Sequence, residues 1–336
     1  MARCICVHRS FERIWPLVAE HLRSAWSSAD FIRIDVDDER ALSDVIRQPA
    51  EVTQLISLGV PVTAECPSAF PTLEEAAIYT SGYLRDRDAA DVFAEAGVEI
   101  IMHDSEGYWG PSVSEFALGL TIGGLRRIPQ LHQRIQSDTA PWEYTPDGEP
   151  GPGKRGHQFG DDDRFTCGTI SGKRVRIVGV GNIGSRYAGA VSYLGADVAA
   201  YDPFADKPCF HRSGARRVHS LEELLADAEI FAPMIPLTDE TRGLVTADHI
   251  DALPEGTLVI LATRAQIVDT DALRSRVAAD ERALAADVWD GNPGEPIPLD
   301  DPLLGRDNVV HTPHVAGRTR DANERWAERL LERFSK

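Results

Sequence analysis

Cysteine is scarce in this chain. Five residues of 336 (Cys4, Cys6, Cys66, Cys167 and Cys209) are too few, too scattered and odd in number for a disulfide framework. Alternation along a buried strand accounts for the Cys4, Cys6 pair, and no zinc or redox spacing occurs elsewhere, so no metal is expected. Positive charge is scarce too. There are 35 Lys plus Arg against 53 Asp plus Glu, a net charge of −18, which repels nucleic acid and anionic membrane alike. No stretch approaches the ~18 uninterrupted apolar residues of a membrane span, and the opening MARCICVHRS has neither an apolar signal core nor a small-residue cleavage site. A cytoplasmic protein with no nucleic-acid or membrane partner is expected. No internal repeat of short period is evident. What is present is ordinary for a globular chain: 43% hydrophobic and 26% charged residues, over a length that suits roughly two domains at about 150 residues each.

Through the first hundred residues, short apolar runs alternate with segments of helical period. Strands are predicted over Cys4 to Val7, Phe31 to Val36 and Gln54 to Leu58, with helical stretches to about Ser24 and over Glu39 to Ile46. Ile78 to Ser81, a helical Asp88 to Ala96 closed by Gly97, and Val98 to Met102 continue the series. Such alternation predicts a parallel sheet with helices on both faces. Residues 113 to 135 read as one long helix leading into a second domain, despite a Gly pair and Pro129. Periodicity then stops between Trp142 and Thr166, where eight of the eighteen residues from Glu143 to Gly160 are Gly or Pro. That segment is a surface loop or linker, either an insertion without function or a lid or subunit contact. From Arg174 the alternation restarts and runs to about Val310.

The segment VRIVGVGNIGSRYAGAVSYLGADVAAYD holds Gly179, Gly181 and Gly184 at G-x-G-x-x-G spacing, directly after a strand over Val175 to Val180 and opening a helix that Gly195 can cap. The spacing alone is weak, but its setting is right. Gly179 serves the tight turn, Gly181 lets a pyrophosphate approach the backbone, Gly184 allows close helix packing, and free helix N–H groups face the anion. A second strand, Ala196 to Tyr201, delivers Asp202 eighteen residues beyond Gly184. A carboxylate there accepts hydrogen bonds from ribose hydroxyls and repels a 2′-phosphate, so NAD is expected rather than NADP.

Four further blocks, in order, resemble the D-isomer-specific 2-hydroxyacid dehydrogenase family. HSLEELLADAEIFAPMIPLTDETRGLV resembles the segment whose Pro-Leu-Thr turn, here Pro236 to Thr238, borders the cofactor with Thr241 close by. LATRAQIVDTDAL resembles the strand end bearing the substrate-binding arginine, here Arg264; ALAADVW resembles the strand ending in an Asp beside the nicotinamide carboxamide, here Asp287; NVVHTPHVAGRT resembles the block with the catalytic histidine, here His314. Asn182 and Ile183, which open the helix, and Thr263, just before Arg264, complete the expected cofactor-binding set. The resemblance is close from about 174 to 325. Over the first 110 residues it is limited mainly to TSGYLRDRD and SVSEFALGL. It implies a doubly wound Rossmann cofactor domain (118–314) inserted into a flavodoxin-like α/β substrate domain (1–117 plus 315–336), and a homodimer meeting along the long helix from about Val113.

The chemistry also follows from residue type. Reduction of a 2-keto acid needs a hydride donor, a cation for carboxylate and ketone, and an acid for the nascent alkoxide. Arg264 can make the bidentate carboxylate contact that a lysine cannot. His314, set by the Thr312, Pro313 turn, suits the proton donor, and the family pattern places that acid after the Thr-Pro pair, which disfavours His311. An isolated Arg after a strand is ordinarily a surface charge and an isolated His ordinarily structural; the blocks around them carry the assignment. A neighbouring carboxylate would raise the histidine's pKa. Counting forward from Asp287 places that partner at Asn292, whereas counting back from His314 places it at Glu295, followed by Pro296. An insertion in the turn Asp290 to Gly294 reconciles the counts in favour of Glu295. Ser81, Gly82, Tyr83 and Leu84 stand where the family has a Gly-rich loop holding the substrate carboxylate, Trp109 stands near the nicotinamide as either pocket wall or core packing, and Ala265 replaces the usual Gly. Gly82, Tyr83 and Trp109 are therefore the substrate-binding candidates, and the size of the substrate side chain is left open. The leading expectation is an NAD-dependent dehydrogenase of a small 2-keto or D-2-hydroxy acid. Formate-like oxidation without proton transfer, through an amide-paired His314, and an NAD-sensing binding protein are the alternatives.

Overall fold

The computed structural model describes residues 2–80, 87–103, 108–142, 160–290 and 296–335. It divides into two compact units, Met1–Tyr108 with Arg318–Lys336, and Trp109–Gly317. Val113 and Ala117 on one side and Ala316 on the other are buried in the second unit's core, so the helix near 113 and the loop around His314 both belong to that unit. Among the described residues no helix is long and apolar enough to cross a membrane.

The first unit is built on five parallel strands, β1 (Arg3–His8), β2 (Asp30–Ile34), β3 (Gln54–Leu58), β4 (Glu75–Tyr79) and β5 (Glu99–Ile100), in the flavodoxin-like order β2-β1-β3-β4-β5. β3 and β4 are buried at every residue, which is why they read as apolar runs rather than alternating ones. Cys4 and Cys6 lie in the core beside Leu42, Leu55 and Phe93, and burial pushes the Cys6 thiol up to about 12. The helical stretch expected to run to Ser24 is two pieces, Arg9–Glu12 and Val18–Ala25. Pro16 lies between them, and the residue before a proline is disfavoured in the helical region. β4 begins at Glu75, three residues ahead of the expected Ile78. Its carboxylate starts the strand nearly buried, accepting from Gln54 Nε2 at 2.5 Å and from the Ser335 backbone N–H at 3.0 Å.

The C-terminal helix, Arg320–Leu331, returns to this unit and packs on Val18–Ala25. Thr319 caps it by accepting from the Ala322 N–H. Its Trp326 is 1% exposed and meets Phe11, Tyr79, His103 and Tyr108 at ring-centroid distances of 4.4 to 6.0 Å.

The second unit holds seven parallel strands, β6 (Arg174–Val178), β7 (Asp197–Tyr201), β8 (Arg216–Val218), β9 (Ile230–Pro233), β10 (Leu258–Leu261), β11 (Ala283–Ala286) and β12 (Val309–His311). Their order, β8-β7-β6-β9-β10-β11-β12, is the Rossmann order with a seventh strand added, and the winding reverses between β6 and β9. The helix expected over 113 to 135 is broken. Gly110–Arg126 ends at Arg127, which adopts φ 50°, and Ile128–Arg134 starts afresh with Pro129 in its first turn. Proline has no N–H to donate to the carbonyl four residues back and its ring clashes with that carbonyl. Val113, Ala117, Leu120 and Leu125 of the first helix press onto the sheet beside Val175, Ile177, Leu258 and Ile260.

Candidate active site

The three fingerprint glycines meet three different demands. Gly179 turns the chain off β6 at φ 91°, and a Cβ there would come within 2.4 Å of Ile235 Cγ2. A Cβ on Gly184 would lie 2.1 Å from the Gly179 carbonyl oxygen, so only glycine lets the helix seat against the turn. A Cβ on Gly181 would meet nothing within 4 Å; its need is for close approach from outside, not for packing. Gly181 caps the helix Asn182–Tyr193 without a side-chain hydrogen bond, and the first-turn N–H groups carry the positive end of the helix dipole. Asn182 lies against Gly110, whose Cβ would fall 2.4 Å from its Nδ2, and accepts from Arg186 Nε at 3.2 Å. Ile183 packs on the core.

Asp202, just past β7, is oriented by backbone. Oδ2 accepts from the Val180 N–H at 2.9 Å, and Oδ1 from Phe204 and Ala205 N–H at 3.0 and 2.9 Å. The carboxylate is thus tied across the top of β6 and β7. After β9 the Pro236 turn is closed by Thr241, whose hydroxyl donates to the Pro236 carbonyl and accepts from the Thr238 N–H, both at 2.7 Å. Thr263 donates to the Pro233 carbonyl at 3.1 Å, joining the ends of β9 and β10. Arg264 follows β10 in extended backbone, half-buried, with Nη1 donating to the Thr263 carbonyl at 2.7 Å.

Asp287, just past β11, is fully buried. His314 follows β12 at φ 55°, a left-handed conformation uncommon for a residue with a Cβ. The other histidine of this block is committed elsewhere. His311 stacks on Trp289 at 4.3 Å, donates from Nε2 to the Leu303 carbonyl at 3.3 Å, and has its pKa lowered by burial. Trp109 is partly buried against the second unit's core and its carbonyl accepts from the Val113 N–H. Glu295 and Asn292, and Gly82 and Tyr83 with their neighbours Ser81 and Leu84, lie outside the described residues. Two residues that sequence reasoning passed over touch the site: Ser112 donates to the Ala316 carbonyl, and Arg217 donates to the Asp202 carbonyl. Neither contact leaves a local signal in the sequence.

Gly179, Asp202, Pro236, Arg264, Asp287 and His314 each follow the last residue of a different strand of one parallel sheet. They therefore share its carboxyl edge, where open α/β sheets bind their ligands. Residues 118–316 match the family model described as D-isomer specific 2-hydroxyacid dehydrogenase, NAD binding domain. The chain belongs to the D-isomer specific 2-hydroxyacid dehydrogenase family. NAD is the cofactor of this family domain, and the open approach at Gly181, beside a helix N-terminus without a side-chain cap, fits a pyrophosphate.

Among the relatives of this 2-hydroxyacid dehydrogenase family member, D-3-phosphoglycerate dehydrogenase of Archaeoglobus fulgidus is 31% identical over 236 residues, covering 70% of this chain and 40% of the relative. Glyoxylate reductase of Korarchaeum cryptofilum is 27% identical over 289 residues, covering 86% and 80%. The chain spans between 40% and 50% of the length of the D-3-phosphoglycerate dehydrogenases it matches. A solved glyoxylate reductase from Paecilomyes thermophila superposes with a TM-score of 0.67 at 18% identity, over 98% of this chain and 93% of that one; at that identity the likeness is one of fold.

Proposed function

We propose that this protein interconverts a small 2-keto acid and its D-2-hydroxy acid with NAD. The observation that carries the reading is the row of groups along one sheet edge, with the cofactor loop at β6 and Arg264 and His314 at β10 and β12. Gly179 to Gly184 and Asp202 would hold the pyrophosphate and ribose, with Asn182, Ile183, Pro236, Thr241, Thr263 and Asp287 around them. Bound NAD supplies or accepts the hydride. Arg264 offers its planar fork to the substrate carboxylate and polarises the ketone. His314 gives the proton to the substrate oxygen in reduction and takes it in oxidation, with Glu295 holding the imidazolium. Trp109 would border the substrate side chain.

The test is loss of NADH absorbance across glyoxylate, hydroxypyruvate, pyruvate, and branched, aromatic and phosphonate keto acids. Turnover on at least one is expected, and His314→Ala should lower it by about 10²- to 10⁴-fold while NADH still binds. Unchanged turnover would overturn the role of His314, and no turnover on any acid would favour an NAD-sensing binding protein. A second copy of the chain is the proposed partner. Ile122, Ile128, Ile135 and Trp142, 37 to 59% exposed along and beyond the helix Gly110–Arg126, support an apolar contact there, and a monomer by light scattering would refute it. A cytoplasmic location fits the five free thiols.

A further inference from the structure

We infer that Asp287 is a positioning residue for His314, holding the backbone of the histidine's loop rather than acting chiefly on the cofactor. This rests on the reading of His314 as the proton-transfer group. The carboxylate is 0% exposed and accepts on both sides of His314. Oδ1 takes the Thr312 hydroxyl at 2.6 Å and the Val315 N–H at 3.0 Å; Oδ2 takes the Ala316 N–H at 2.8 Å. Three of its roughly four acceptor positions are therefore spent on the loop, leaving at most one for an amide of the cofactor. Ser112 Oγ donates to the Ala316 carbonyl of the same loop at 2.5 Å.

The loop needs such a grip. His314 stands at φ 55°, and a side chain with a Cβ stays there only when its surroundings over-determine it. Its own backbone N–H donates within the turn to the Thr312 carbonyl, two residues back, at 3.1 Å. A buried charge bonded to the residues on either flank supplies such a restraint. Released from it, the loop relaxes toward ordinary backbone angles and the imidazole swings away from the geometry that proton transfer requires.

The experiment compares wild type, Asp287→Asn, His314→Ala and the double variant in the full chain. NADH affinity is read by fluorescence titration, turnover with the keto acid panel above, and the His314 imidazole by nitrogen-edited NMR of histidine-labelled protein, assigned by its loss in His314→Ala. Asp287→Asn keeps one acceptor oxygen and loses the other. The expected result is an NADH Kd within about threefold of wild type, turnover lower by roughly tenfold, a His314 signal shifted or split between conformers, and no further loss of turnover in the double variant. Thr312→Val, which removes a single donor and leaves the carboxylate in place, should move the same signal in the same direction by less. An NADH Kd raised tenfold or more with the His314 signal unmoved would overturn the inference. So would an equal loss of turnover from Asp287→Asn with and without His314. Wild-type turnover in His314→Ala would instead remove the proposed role of His314, while the NMR comparison would still decide whether Asp287 grips the loop.

Discussion

Replacing Gly184 and Gly181 by alanine, one at a time, separates packing from binding within a single turn. At Gly184 the added methyl would stand 2.1 Å from the Gly179 carbonyl oxygen, 3.0 Å from its carbon and 3.2 Å from Met234 Cβ. The first contact is about 0.9 Å inside the closest approach real Cβ atoms make, and the obstacle is backbone, so the helix Asn182–Tyr193 must lift off β6. Overpacking of this kind costs roughly 2 to 4 kcal/mol. For a unit of about 200 residues that is a fall in Tm of about 5 to 15 °C. At Gly181 the methyl meets nothing within 4 Å, so stability should change by no more than about 0.5 kcal/mol. The same methyl occupies the approach to the helix N-terminus, and the NADH Kd should rise at least about tenfold, or 1.4 kcal/mol. Thermal melts followed by circular dichroism and NADH fluorescence titration read the two effects. A Gly184→Ala protein that melts with wild type, or a Gly181→Ala protein that binds NADH as wild type does, would refute the division of labour among these glycines.

Arg264→Lys keeps the charge but not the planar fork, and kcat/KM should fall about 10- to 100-fold with little change in NADH affinity, as steady-state kinetics would measure. Arg176 is 1% exposed in β6 and donates to both oxygens of Asp227 at 2.7 Å and to Asp197 at 3.1 Å; Arg176→Met should cost roughly 1 to 3 kcal/mol at neutral pH by denaturant melts. The Arg176 guanidinium holds Asp227 below the usual carboxylate range. The stabilisation is therefore complete above the unfolded pKa of about 4 and lost as pH falls through the lower folded value, so the acid decline of Tm should be shallower in Arg176→Met. Glu75→Ala removes the acceptor of the Ser335 N–H, and hydrogen exchange at that amide should speed up at least about tenfold; unchanged exchange would show that the carboxylate does not hold the tail.

The cofactor turn was legible in the sequence because its demands are local. A positive φ at Gly179, open approach at Gly181 and contact at Gly184 all fall within six residues, and Asp202 follows on the next strand. Parallel sheets with helices on both faces followed in the same way from alternation of apolar runs and helical periods. Contacts between distant segments were not legible. Glu75 looks like the end of a loop until Ser335, 260 residues away, donates to it. Arg127 ends its helix because of Pro129, which a periodicity count tolerates and the backbone does not. Asp287 stood in the right block, yet its bonds to Thr312, Val315 and Ala316 cross from one strand end to the next, and residue type alone points such a carboxylate at a ligand.

Return of the chain to its first unit orders events during synthesis. Phe11, Tyr79, His103 and Tyr108 leave the ribosome before the 209 residues from Trp109 to Gly317, and Trp326, which closes over them, comes after. At about 5 to 20 residues per second the gap is roughly 10 to 40 s, longer than a single domain usually needs to fold. The first unit thus exposes an aromatic socket to solvent throughout the synthesis of the inserted unit. A nascent chain stalled before Arg318 carries an unfilled first core, and that interval is when this protein is most exposed to aggregation.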